Sequence, residues 1–108
     1  LLWSQAETQE VETVAFSPDG SHFVVGGEDG YVDIYRLRNA QNQVAPSLVT
    51  SLNHSGFAID GLRFSHDGKL LATGAENGEL RLFTTHNWAQ TSSASVGITT
   101  LSASSAAD

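Results

Sequence analysis

The sequence predicts an all-β protein made of two similar four-stranded antiparallel sheets. Three observations predict it. A repeat runs without gaps at a spacing of 48 residues, glycine-bearing turns fall at the same places in both copies, and apolar and polar residues alternate between the turns. Val11–Leu37 (VETVAFSPDGSHFVVGGEDGYVDIYRL) aligns with Ile59–Thr85 (IDGLRFSHDGKLLATGAENGELRLFTT). Seven of 27 positions are identical: Phe16/Phe64, Ser17/Ser65, Asp19/Asp67, Gly20/Gly68, Gly26/Gly74, Glu28/Glu76 and Gly30/Gly78. Average residue usage gives only about one or two.

The first strand of each unit spans Val11–Ser17 or Ile59–Ser65 and ends at Pro18-Asp19-Gly20 or His66-Asp67-Gly68. Glycine suits a turn position of positive φ, and Pro18 presets its own φ. The second strand covers His22–Gly27 or Leu70–Gly74, and Asp29-Gly30 or Asn77-Gly78 turns the chain again. Both dipeptides are strong hairpin signals and predict a type I′ turn. The third strand, Tyr31–Leu37 or Glu79–Phe83, alternates: Val32, Ile34 and Leu37 interleave with Asp33 and Arg36, and Leu80 and Leu82 with Glu79 and Arg81. A weaker fourth strand is expected at Ser47–Asn53, after the polar loop Asn39–Pro46, and at Ser95–Leu101. Leu1–Ser4 is a candidate for the same strand of a preceding unit. The expected organisation is therefore 1–10 as an incoming outer strand and linker, 11–53 and 54–101 as the two units, and 102–108 as a Ser/Ala-rich tail.

At 108 residues the chain has room for one small domain. Twelve acids against five bases give a net charge of −7, which opposes binding to nucleic acid or an anionic membrane. The lack of cysteine excludes disulfide scaffolds, thiolate zinc sites and cysteine nucleophiles. No apolar run approaches the roughly 20 residues of a membrane helix. With no methionine and Leu1 first, the chain is expected to be a piece of something longer.

The segments VETVAFSPDGSHFVVGGEDGYVDIY and HSGFAIDGLRFSHDGKLLATGAENGELRLF resemble WD repeats, over residues 6–101. The resemblance implies two four-stranded blades of a β-propeller, packed radially. It also implies protein partners, no cofactor, and a cytoplasmic or nuclear location. Tyr35 and Phe83 stand at the signature tryptophan, followed by Arg36 and Thr84 instead of aspartate. The family's hydrogen-bonded tetrad maps onto His54, Thr73, Asn77 and Phe83, although Phe83 cannot donate a hydrogen bond. The first unit keeps Asp29 and has Tyr35, but Val25 takes the hydroxyl position. Degenerate tetrads held by apolar packing are expected. Two blades also leave two apolar faces without neighbours, so the missing blades come from a longer chain or from identical copies.

No catalytic constellation stands out. Ser65-His66-Asp67 names the types of a hydrolase triad, but consecutive turn residues cannot align nucleophile, base and orienter. His22, His54, His66 and His86 lack metal-site spacing. Asp29–Asp33 lacks the further acids of a calcium loop. Gly26–Gly30 has no lysine or following helix to cradle a phosphate. Asn53-His54-Ser55 is a formal glycosylation sequon without supporting context.

The acids carry the functional expectation. Glu28 and Glu76 share one place before the hairpin, and Glu12 and Asp60 share one at the first strand. In WD-repeat propellers these loops line one face, so the resemblance gathers the four acids on a rim that would bind a basic protein partner. The plainer alternative is ordinary solvated strand ends. Phe57 and Trp88 are either partner anchors or core plugs. The leading reading is a non-catalytic interaction scaffold. The alternatives are a cytoskeleton-associated (actin or microtubule) propeller, a propeller hydrolase, and a self-contained sandwich.

Overall fold

The computed structural model describes residues 3–7, 9–54 and 56–95. Eight strands form two four-stranded antiparallel sheets: β1 (Val11–Phe16), β2 (His22–Gly27), β3 (Tyr31–Arg38) and β4 (Val44–Asn53), then β5 (Ile59–Phe64), β6 (Leu70–Ala75), β7 (Glu79–Thr84) and β8 (Gln90–Ser95). Each sheet runs in simple chain order, β1-β2-β3-β4 and β5-β6-β7-β8.

The first turn of each unit is built by its Ser-x-Asp sequence. Ser17 Oγ donates to Asp19 Oδ1 (2.8 Å), and Ser65 Oγ donates to Asp67 Oδ1 (2.7 Å). Each serine oxygen also accepts a backbone N–H across the turn, from His22 (3.0 Å) and Leu70 (3.1 Å). Gly20 and Gly68 sit at φ 75° and 73°, the left-handed region glycine enters freely. Three donors around the Asp19 carboxylate, the Ser21 backbone N–H first among them, lower its pKa to about 2. Asp67 is lowered for the same reason, chiefly by the Ser65 hydroxyl. Ser65 and Asp67 thus form a structural turn, with Ser17 and Asp19 in the same arrangement.

The second turn differs from expectation. The only positive-φ residues other than glycine, among those described, are Asn42 and Trp88, so neither Asp29 nor Asn77 has the φ that a type I′ turn demands. The left-handed residue is the glycine that follows, Gly30 at 87° or Gly78 at 89°. This matches the hairpin in which a turn is closed by a glycine bulge. Asp29 and Asn77 each accept the N–H two residues on, from Tyr31 and Glu79 (3.1 Å in both), so the side chain itself caps the turn.

The fourth strands also begin earlier than expected. β4 starts at Val44, which puts Pro46 inside a strand and not in the loop. β4 is the outer edge, where a missing N–H costs no ladder bond. In the second unit β8 occupies Gln90–Ser95, after Trp88 and Ala89 close a short turn back onto Thr84; of the strand expected at Ser95–Leu101 only Ser95 is among the described residues. Residues 96–101 lie outside the described residues, as does the expected tail at 102–108. Residues 3–7 carry no strand, and Leu1 and Leu2 of the strand expected at Leu1–Ser4 lie outside the described residues.

Strand register sorts the side chains of each sheet into two faces. The front face of the first sheet carries Val14, Phe16, Phe23, Val25 and Tyr35, and its back face carries Ala15, Val24, Val32 and Ile34. In the second sheet the equivalent front residues are Leu62, Phe64, Leu71, Thr73 and Phe83. The main core joins the back of the first sheet (Val24, Val32, Ile34) to the front of the second (Ile59, Phe64, Leu71, Ala75, Phe83). Gly26 lies directly against Ile59 of the second sheet: a Cβ there would stand 2.6 Å from Ile59 Cγ2. Trp88 packs against this core, and its ring centre lies 5.6 Å from His22 of the first sheet. Among the two loop aromatics it is therefore the core plug, whereas Phe57 is exposed.

Candidate interaction rim

The entry to the first strand and the second turn meet at one end of each sheet. Glu28 N–H donates to the Glu10 carbonyl (3.0 Å), and Glu76 N–H donates to the Ala58 carbonyl (2.9 Å), at the same sequence separation. Beside each bond the ladder is interrupted by a β-bulge, between Val11 and Thr13 and between Ile59 and Gly61. Glu12 and Asp60 are the residues inserted there. A bulge re-aims the side chain it inserts, and both acids are exposed.

In the first sheet this geometry brings Glu10, Glu12 and Glu28 together. Their carboxylate oxygens lie within 4.8 Å of one another, and all three residues are exposed. Sequence reasoning singled out Glu12 and Glu28 and missed Glu10, whose signal was the run Glu7-Thr-Gln-Glu-Val-Glu12 entering the strand. Asp60 and Glu76 hold the equivalent positions of the second sheet but are not part of that cluster, and Ala58 stands where Glu10 would be. The two sheets meet just beside this end. His54 N–H donates to the Gly30 carbonyl (2.7 Å), and a Cβ on Gly30 would lie 2.8 Å from the Gly56 backbone.

The positions mapped as a tetrad divide. His54 and Thr73 are fully buried. His54 Nδ1 lies 3.6 Å from Glu79 Oε1, and Glu79 Oε2 pairs with Arg81 Nη2 at 3.2 Å. Arg81 Nη1 reaches back to the Asn53 carbonyl (3.3 Å). Burial, then the Arg81 charge, lowers the His54 pKa and keeps the ring neutral near pH 7, against the pull of Glu79. Glu79 and Arg81 were not singled out from sequence, where they read as the polar half of an alternating strand. Asn77 is exposed and engaged in its own turn. Phe83 lies in the apolar core. Thr73 Oγ1 is buried with no hydrogen-bond partner among the described residues, and the Phe83 ring has no N–H to offer.

In the first sheet Asp29 closes its turn, and Tyr35 replaces a tetrad with an aromatic stack. Tyr35 lies parallel to Phe23, with ring centres 5.0 Å apart, and Trp3 meets both rings edge-on. The Tyr35 hydroxyl donates to Glu7 Oε2 (2.8 Å) and accepts from Gln5 (2.9 Å). Burial and the Glu7 carboxylate together push its pKa well above the usual tyrosine range.

Among the described residues no helix is long and apolar enough to cross a membrane. Comparison with known proteins agrees with this architecture. The family model for the WD domain, G-beta repeat, matches residues 3–36 and 46–84. The protein HIR1 of Coccidioides immitis is 40% identical over 75 residues, which are 63% of this chain and 7% of that protein. The probable U3 small nucleolar RNA-associated protein 18 of Schizosaccharomyces pombe is 29% identical over 70 residues, 65% of this chain and 14% of that one. The chain thus spans a small fraction of the curated relatives it matches. A crystal structure of RRP9 WD40 repeats superposes with a TM-score of 0.72 at 11% identity, over 86% of this chain and 28% of that one.

Proposed function

This chain belongs to the WD domain, G-beta repeat family, and on that premise we propose that it is a non-catalytic scaffold that holds protein partners within a larger assembly. The observation that carries the reading is the acidic end of the sheets. Glu10, Glu12 and Glu28 converge on a bulge and a hairpin, and the second sheet repeats that frame at Asp60 and Glu76. Backbone hydrogen bonds and closed turns fix these elements, so little order has to be gained on binding. Clustered carboxylates favour a partner with lysines and arginines, speed its encounter and make the complex weaken with salt. A net charge of −7 argues against direct contact with nucleic acid. A relative named as a probable U3 small nucleolar RNA-associated protein favours a nuclear assembly in which partner proteins meet the RNA.

The test is affinity capture with the full-length protein, wild type against the quadruple charge reversal Glu12→Lys, Glu28→Lys, Asp60→Lys and Glu76→Lys. The reading expects partners with basic surfaces that are released by salt and lost from the variant. Retention of the same partners by a folded quadruple variant would sink it.

A further inference from the structure

The end of the first sheet opposite the acidic rim carries the reverse charge. Side chains alternate along β3, so Arg36 and Arg38 project on the same side as Val32 and Ile34, past the end of the apolar core. His22 of β2 lies directly across from Arg36. Together with Ser21 and Asn42 they surround an open basin of about 450 Å³. Arg38 Nη1 donates to the Asn42 carbonyl (3.0 Å), which holds that guanidinium at the basin's edge. Among the described residues neither arginine is paired with a carboxylate, and the Arg36 guanidinium makes no hydrogen bond. The one carboxylate lining the basin, Asp19, has its Oδ1 occupied by Ser17 Oγ (2.8 Å), the Ser21 N–H (2.9 Å) and Ser21 Oγ (2.7 Å).

The repeat does not demand these bases. At the spacing of 48, Thr84, His86 and Leu70 stand where Arg36, Arg38 and His22 do. The second sheet builds the same strands without them, so the arginine pair is not part of the framework. Nor does the net charge of −7 cancel it. The eight residues of β3 span about 26 Å between the rim and the basin, and the Debye length is about 8 Å at physiological salt. Two guanidinium charges against one carboxylate leave the basin cationic. Guanidinium matches the oxygens of a phosphate group in geometry as well as charge. The geometry points to a phosphate-monoester site in this basin, with Arg36 and Arg38 holding the dianion between them. An open basin of this volume admits the group together with the residue that bears it, so the occupant is a phosphorylated side chain of a partner polypeptide.

The experiment is a ligand-observed phosphorus NMR titration of the full-length protein with inorganic phosphate and with blocked Gly-phosphoserine-Gly, and circular dichroism on each variant. The wild type is expected to broaden both resonances saturably. Arg36→Gln/Arg38→Gln is expected to weaken both ligands about tenfold or more. Arg36→Lys/Arg38→Lys keeps the charge without the planar fork and is expected to fall between the two. Tighter binding of the peptide than of inorganic phosphate supports the side-chain occupant, and equal or weaker binding overturns that occupant in favour of a free phosphate. No saturable change with the wild type, or equal affinity of wild type and folded glutamine variant, overturns the site itself. If the glutamine variant fails to fold, the lysine variant decides by the same comparison.

Discussion

Gly26→Ala probes the joint between the two sheets directly. The added methyl would lie 2.6 Å from Ile59 Cγ2, 2.9 Å from Ile59 Cβ and 3.0 Å from Thr13 Cγ2. Overpacking of this kind costs about 1–3 kcal/mol. Gly26 has no positive φ, so alanine also restricts the unfolded chain and returns about 0.4–1 kcal/mol. A net loss of about 1–2 kcal/mol follows from these two contributions. Ile59→Ala, at a fully buried position, costs about 2–5 kcal/mol by transfer and cavity. In the double variant the new methyl enters the space vacated by Cγ2. The combined loss is then smaller than the sum by about 1 kcal/mol or more, as expected for residues in contact. Urea unfolding of the four proteins at one fixed concentration, followed by circular dichroism, gives the cycle. Additivity within about 0.5 kcal/mol would refute the packing of Ile59 on Gly26.

Thr73→Val removes a buried hydroxyl that has no partner among the described residues; denaturation should show stability unchanged or raised by up to about 1 kcal/mol, not lowered. Phe64→Ala should cost about 3–5 kcal/mol, whereas Phe16→Ala, at 62% exposure, should cost about 1 kcal/mol in a monomer, on burial of roughly a third of the ring. Stability should fall in two steps on acidification. His54 and His22 have folded pKa values below the ordinary 6.5, so the unfolded chain binds their protons first and stability declines as pH drops through about 6.5. Asp19 is held near 2 against an ordinary 3.8, so its contribution persists above about 4 and disappears as pH falls towards 2. Melting temperatures across pH 2–8 should show the lower step flattened in Asp19→Asn and the upper one reduced in His54→Gln.

Much of the architecture was legible because a period of two, repeated at a fixed offset, specifies strand, face and turn together. Phe64 and Ile34 stand in apolar strand positions and are buried, whereas Phe16, at the same place as Phe64 in the repeat, is 62% exposed. Other features carried no such pattern. β8 has the sequence Gln-Thr-Ser-Ser-Ala-Ser, and an edge strand held by backbone pairing leaves no apolar trace to place it. Asp-Gly and Asn-Gly fit both a type I′ turn and a glycine-closed bulge; Asp29 Oδ1 accepting the Tyr31 N–H is local chemistry the dipeptide does not reveal. At the rim, the shared positions of Glu12 and Asp60 were readable, but the bulge that turns them outward was not. Glu10 joins the cluster only through its backbone bond to Glu28. Glu79 and Arg81 meet His54 across a strand and an entry loop 25 or more residues apart, a contact that single-sequence reading cannot see.

Recruitment of a basic protein by the acidic end of the sheets is read from the association rate of a captured partner with wild-type protein and with Glu12→Lys/Glu28→Lys, from 50 to 500 mM NaCl. The wild-type rate is expected to fall with salt, and the variant to be at least tenfold slower at 50 mM and nearly salt-independent. Equal rates and equal salt slopes for the two folded proteins would contradict it.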